Sequence, residues 1–348
     1  MRKQLLITFD YELFLGNRSG FVNSCMIEPT RKLIAILKKY GVKAVFFVDT
    51  TYLLRLQAQA KTHPVCASDF GKVAEQLRHL VAEGHFVYPH IHPHWLDAVY
   101  HSESNQWSLN NTEKYLFRNI THEEQQMVFD GSVSILKSIL HPQFPDYQIN
   151  AFRAGGWSIQ PFTNFIPSFE KHGMKYEFSV LRDFYQFTDA QYFDFSTTPS
   201  KLIYRFKDDE CVEVAQGPYT QYTISSTPVS ESISLLNKIF LKLHMKITKD
   251  HTFHKGEGQP SRILNNVSPV NSGGKDLSNS NWERVAVELL TIVKLPLYLS
   301  FMEKHDYMHF ISHPKMISNH NLSVFDKFLG KVFNKYTIET DFHLMNVQ

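Results

Sequence analysis

The sequence predicts an α/β protein whose parallel sheet is covered by helices, either as a barrel or as an open doubly wound sheet. Two observations predict it: helical and strand-like segments alternate along the chain, and the strand-like runs are almost continuously apolar instead of alternating. A third concerns where those runs stop. Each ends near a polar residue, giving the series Asp10, Asp49, His90, Arg153, Asp183 and His313. In parallel α/β folds the strand ends share one rim, and sites are built there.

The elements follow in order. "QLLITFDYE" reads as a first strand with Asp10 and Glu12 at its end. In "LIAILKKYGVKAVFFVD", Leu33, Ile34, Leu37 and Tyr40 fall at helical spacing, and Gly41 suits the left-handed position that stops a helix before the next strand. "VAEQLRHLVAEGHFVYPH" repeats the layout with Val73, Leu77, Leu80 and Val81 on one face and Gly84 as the stop. "THEEQQMVFDGSVSILKSIL" opens with a capping-box signature, Thr121 and Glu124, and leads through a loop to the strand "INAFR". "FIPSFEKHGMKYEFSVLRD" and "LYLSFMEKHDYMHFISH" are two further helix–strand units. Residues 192–228 break the alternation: Tyr192, Phe193, Phe195, Tyr204, Phe206, Tyr219 and Tyr222 predict a β-rich insertion. Residues 249–283, rich in Ser, Asn, Gly and Pro, predict a flexible loop or lid.

Composition narrows the function. The chain has 348 residues, 43% hydrophobic, enough for one large core, and residues 1–348 are read as a single domain. With 36 basic against 34 acidic residues, the net charge of +2 gives no reason to expect nucleic acid or anionic lipid as the main partner. Cys25, Cys66 and Cys211 are widely spaced and read as reduced, buried thiols. Before Asp10 the apolar run is too short for a signal-peptide core, so a cytoplasmic location is expected. Nor is an integral membrane segment expected: residues 289–302 are interrupted by Lys294 and Pro296.

The chemistry concentrates in "GHFVYPHIHPHW". Pro89 and Pro93 exclude a regular helix. On an extended strand His90 and His94 lie roughly 13 Å apart, so joint ligation needs a bend, whereas His90 and His92 are about 7 Å apart. Imidazoles with a carboxylate from Asp10 or Glu12 would make a facial triad for zinc (Zn) or a neighbouring divalent metal.

In this order "ITFDYE", "VKAVFFV", "GHFVYPHIHPHW", "AFRAGGW" and "HFISHP" resemble the motifs of the polysaccharide deacetylase (NodB-homology) family of carbohydrate esterases. The resemblance implies a distorted (β/α) barrel with a divalent metal at the strand ends, where N-acetyl groups on sugars are hydrolysed. It assigns Asp10 as catalytic base, Arg153 as the residue orienting it and His313 as general acid, with Asp183 or Asp194 as candidates for the partner of His313. The metal ligands it implies are His90 and His94, with His92 able to replace either. Tyr11 stands where the family has its second, metal-binding aspartate, and that role passes to Glu12, to Asp10, or is lost. Trp95 and Trp157 are candidates to stack on a sugar. The expected activity is a cytoplasmic, metal-dependent hydrolase of carbon–nitrogen bonds, deacetylating a glycan precursor of surface-polysaccharide assembly. Hydrolysis of a small cyclic amide, or a catalytically silent saccharide-binding or scaffold role, are the alternatives.

Overall fold

In the computed structural model, residues 2–109, 111, 113–253, 256–258, 274–278 and 280–346 are described. Among the described residues the central sheet has nine strands, of which Ile203–Phe206 pairs antiparallel at one edge and Thr337–Glu339 beside the start of the first strand; the other seven are β1 (Arg2–Tyr11), β2 (Val45–Asp49), β3 (Phe86–Ile91), β4 (Ala151–Ala154), β5 (Tyr176–Glu177), β6 (Tyr219–Tyr222) and β7 (Tyr307–Ser312). These seven run parallel in the order β6-β5-β4-β3-β2-β1-β7, with helices packed outside. Helices α1 (Glu28–Lys39), α2 (Thr50–Gln59), α3 (Pro64–Ala82), α4 (His122–Leu140) and α5 (Ile166–His172) fill the connections from β1 to β5. Helix α6 (Glu231–Thr248) follows β6, while α7 (Leu295–Lys304) and α8 (Asn319–Lys335) flank β7.

Backbone bonds just beyond β6 draw the two ends of this sheet together. Ile224 N–H donates to the Val180 carbonyl (2.8 Å), and Ser225 meets β7, its hydroxyl accepting from His309 N–H (2.9 Å). Val285 N–H donates to the Ser225 carbonyl (2.8 Å) and Ile311 N–H to the Val285 carbonyl (2.9 Å). A distorted (β/α) barrel results: Ile203–Phe206 pairs antiparallel with the outer edge of β6, and the gap to β7 is bridged by the irregular backbone at Ser225 and Val285.

Local signals place the layers as their chemistry demands. Burial on both faces explains the apolar runs: all five residues of β2 and residues 5–11 of β1 are buried. Gly41 and Gly84 end α1 and α3 with φ of 63° and 83°. The capping box closes α4, with Glu124 N–H donating to Thr121 Oγ1 (3.2 Å) and Thr121 N–H to Glu124 Oε2 (2.9 Å). All three cysteines are free and buried.

The β-rich stretch 192–228 contains strands at Tyr192–Asp194, Ile203–Phe206, β6 and Ser226–Pro228. β6 pairs parallel with β5, so this stretch also contributes a barrel strand. Of the expected lid 249–283, residues 254, 255, 259–273 and 279 lie outside the described residues. Its described flanks are paired: Lys275–Asp276 runs beside Phe184–Phe187, and Trp282–Arg284 beside Ser226–Pro228. No described helix is long and apolar enough to cross a membrane.

Candidate active site

Strand alternation builds the acidic half of the site. Successive side chains on β1 point to opposite faces, so Asp10 and Glu12 share the inner face while Tyr11 points into the helix layer. There its hydroxyl donates to Gln76 Oε1 of α3 (2.7 Å). The same two-residue period brings His90 and His92 together, their ring centroids 4.6 Å apart. Register then aligns the rim: Asp49 is opposite His90, and His90 opposite Arg153.

Three donor atoms converge. His92 Nε2 lies 2.9 Å from both His90 Nε2 and Glu12 Oε2, and His90 Nε2 lies 3.6 Å from Glu12 Oε2. His90 Nδ1 donates to the Arg153 carbonyl (2.9 Å), which turns the Nε2 lone pair toward the cluster. Glu12 Oε1 accepts from Lys315 Nζ (2.9 Å), and that ammonium also donates to the Leu13 carbonyl (2.6 Å). Oε2, buried and turned toward the imidazoles, accepts no hydrogen bond of good geometry. An orphaned carboxylate oxygen beside two imidazole nitrogens is a donor set that fits a divalent cation.

His94 is placed elsewhere. Pro93 starts a short 3₁₀ turn, Pro93–Asp97, that carries the His94 ring away from the cluster and stacks it on Tyr115 at 4.2 Å. Both its ring nitrogens are buried without a hydrogen-bond partner. The cluster therefore comprises Glu12, His90 and His92, and the bend that a His90–His94 pair requires is not made. Gly155 lets β4 run close behind it: a Cβ there would sit 2.4 Å from the Ile91 carbonyl and 2.7 Å from His92 Nδ1.

Arg153 is fully buried and every arm of its guanidinium is used. Nη1 donates to Asp10 Oδ1 (2.6 Å), Nε to the Phe178 carbonyl (3.0 Å), and Nη2 to Thr8 Oγ1 (2.8 Å) and to His309 Nε2 (3.2 Å). A buried guanidinium needs all these acceptors, so its contact with Asp10 is one-pronged instead of bidentate. His309, which the sequence reading did not single out, accepts from Arg153 because its Nδ1 donates to the Thr223 carbonyl (3.0 Å). Burial, then the Arg153 charge, hold His309 well below the usual imidazole range.

The charges are arranged so that both carboxylates stay ionised. Burial alone would raise Asp10, but Arg153, His90 and His313 together outweigh it and keep the carboxyl below its ordinary range. Burial acts likewise on Glu12, and Lys315 with His92 carries it well below. For His90, burial opposes the charge, yet Asp10 and Glu12 leave the ring above its usual value. Asp49 stands apart: burial and then the Glu12 charge push it up to about 8. Its oxygens accept from Tyr52 N–H (3.1 Å), capping α2, and from Trp95 Nε1.

Opposite these acids stands His313, its Nε2 3.6 Å from Asp10 Oδ2. Its Nδ1 is held by Glu288 Oε1 (2.9 Å), which Arg284 also reaches (3.0 Å). Glu288 thus makes the pairing for which Asp183 and Asp194 were candidates. Asp183 is half-exposed and pairs with Lys275 (3.3 Å), while Asp194 accepts from Ser196 N–H (3.0 Å). The lone acid in "VAVELL" was the available signal for Glu288, and the period of that run gives no hint of its partner.

Asp10, Glu12, His90, His92 and His313 open into a cavity of about 410 Å³, walled by Tyr115, Trp157 and Gln191. Trp157 sits there with a φ of 59°, a conformation bulky residues rarely adopt and one found at functional sites. Trp95 cannot stack on a sugar: it is fully enclosed between Tyr52 and Trp107, at 4.8 and 5.7 Å.

Residues 2–159 match the family model described as polysaccharide deacetylase. Several solved structures resemble the chain. A provisionally assigned polysaccharide deacetylase from Mycobacterium smegmatis is 12% identical, with 97% of this chain and 87% of that one covered and a TM-score of 0.46. The catalytic domain of a peptidoglycan N-acetylglucosamine deacetylase from Eubacterium rectale is 14% identical, with 99% and 91% covered and a TM-score of 0.37. The peptidoglycan deacetylase PdaC of Bacillus subtilis is 19% identical, with 44% and 48% covered and a TM-score of 0.25. No curated protein matches the chain.

Proposed function

We propose that this chain, whose residues 2–159 match the polysaccharide deacetylase family model, is a metal-dependent amidohydrolase removing acetyl groups from N-acetylated sugars. The observation carrying this reading is that Asp10 and His313 face each other at 3.6 Å beside the convergent Glu12, His90 and His92. Glu12, His90 and His92 would hold the cation, and two imidazoles with one carboxylate suit zinc. Such a cation polarises an amide carbonyl and lowers the pKa of water, countering the poor electrophilicity of an acetamide.

The chain's own residues supply the proton steps. Asp10, kept ionised by Arg153, takes a proton from water as the oxygen adds to the acetyl carbon. His313, its Nδ1 fixed by Glu288, delivers a proton from Nε2 to the departing nitrogen, so that the C–N bond breaks to give acetate and a free amine. Trp157 offers an apolar wall for a sugar face. A nucleotide- or lipid-linked precursor of a surface polysaccharide fits the expected cytoplasmic location better than finished wall polymer.

Acetate release from N-acetylglucosamine oligomers and from a nucleotide-linked N-acetylhexosamine, measured beside bound zinc for the wild type and His90→Ala, tests the proposal. An unaffected His90→Ala variant, in both metal content and hydrolysis, would falsify it. One observation favours a silent saccharide-binding role instead: Lys315 and Arg153 already balance Glu12 and Asp10 without a cation. Saccharide binding with no retained zinc and no acetate release would support that reading.

A further inference from the structure

Helix α6 carries an apolar face that no described element covers. Leu235 is 61% exposed, Leu236 56%, Ile239 48%, Leu243 56% and Ile247 78%, although a soluble helix normally turns such residues inward. Their spacing places them on one arc of roughly 120°, running about 18 Å along the helix axis. Scattered exposed leucines need no explanation, but a contiguous stripe of this kind marks an interaction surface.

Charge identifies the occupant. Lys238, Lys242 and Lys246 follow one another at intervals of four along one flank of the stripe, and Lys249 continues the row at the helix end. All four are exposed, and Glu231, in the first turn, is the one acidic residue of the helix. An apolar stripe bordered by lysines is the layout of a helix lying in a bilayer interface, where leucines enter the acyl boundary and lysines reach anionic headgroups. An antiparallel second copy of the chain would set its own lysine row beside this one. Spanning is not at issue, since no described helix is long and apolar enough to cross a membrane.

The opposite face ties the helix to the barrel. Asn237 is buried and accepts from Thr291 Oγ1 (2.6 Å), three residues beyond Glu288, while the Phe240 and His244 rings pack on His320 at 5.1 and 4.6 Å. We propose that the Leu235–Ile247 face of α6 docks the protein on anionic lipid bilayers. This inference stands independently of the deacetylase reading. It would bring the segment that supports His313 to a membrane surface.

Flotation of the full chain with phosphatidylcholine vesicles, with and without phosphatidylglycerol, tests it. The wild type should float with the phosphatidylglycerol vesicles, less so as salt is raised. Leu236→Glu with Leu243→Glu should lower partitioning by roughly tenfold or more, and Lys238→Glu with Lys242→Glu should remove the preference for phosphatidylglycerol. All four side chains are exposed, so unchanged thermal melts would show the variants folded. Wild-type protein remaining unbound, or the leucine pair leaving flotation unchanged, overturns the proposal. A stable dimer that the leucine pair dissociates, without vesicle binding by the wild type, also overturns it and assigns the face to a second copy.

Discussion

Replacing Lys315 by methionine tests the electrostatics of the site most directly. The substitution keeps the aliphatic stem and removes the ammonium that meets Glu12 Oε1 at 2.9 Å and the Leu13 carbonyl at 2.6 Å. Glu12 and Lys315 are both buried, so the variant leaves a carboxylate in the interior without its main counter-charge. Breaking one partner of such a pair costs about 3–5 kcal/mol. In a chain of this size that is a fall in Tm of roughly 4–7 °C. The sign with pH follows from Glu12. Its carboxyl is held well below the usual range in the wild type, so the pair contributes stability above that range and loses it as pH falls. The gap between variant and wild type should therefore be widest at neutral pH and narrow in acid, where Glu12 protonates in the variant. If Glu12, His90 and His92 bind a cation, zinc supplies the missing positive charge. A ligand at 1,000 times its Kd adds about 4 kcal/mol. Thermal melts with and without zinc should show a larger zinc-dependent rise in Lys315→Met than in the wild type. A metal-free variant as stable as the wild type, or equal zinc responses in both, would refute the reasoning.

Glu288→Gln should lower the rate of acetate release by about 10²-fold with little change in KM, because His313 loses the carboxylate that orients it; Asp183→Asn and Asp194→Asn should leave the rate unchanged, as steady-state kinetics would show. His92→Gln should lose bound zinc while His94→Gln keeps it, measured as metal per chain after desalting, and the opposite result would place the cation on the ligand pair that the family resemblance implied. Asp49, raised to about 8 by burial, favours the folded state in its neutral form, so its contribution is full below its unfolded value and declines as pH rises toward 8. Asp49→Asn should therefore flatten the dependence of urea midpoints on pH between about 4 and 8, and an unchanged slope would show that Asp49 does not carry it.

Much of the site was legible because it depends on short-range periods. In "FDYE" the two-residue period alone sends Asp10 and Glu12 to one face and Tyr11 to the other, so the tyrosine that stands where the resembled family has an aspartate faces the helix layer and not the site. In "HIH" the same rule favours His90 with His92, whereas the resemblance pointed to His94 across a proline. Trp95 packs instead of offering a sugar platform; an aromatic at a strand end looks the same in sequence whether it faces a cavity or fills the gap between Tyr52 and Trp107.

The sequence by itself determined the alternation of helices and strands, their glycine stops, the capping box of α4 and the rim on which Asp10, His90, Arg153 and His313 gather. Each of these follows from forces acting over a few neighbouring residues. Only the tertiary structure decided which buried charges meet. Lys315 reaches Glu12, His309 backs Arg153, and Glu288 holds His313 because β7 pairs directly with β1 in a fixed register and closure through Ser225 and Val285 brings the far end of the sheet against β7. Partners up to some three hundred residues apart leave no periodic trace in the chain, and each is selected because a charge buried at the rim must find its counter-charge among whatever the closed barrel places beside it.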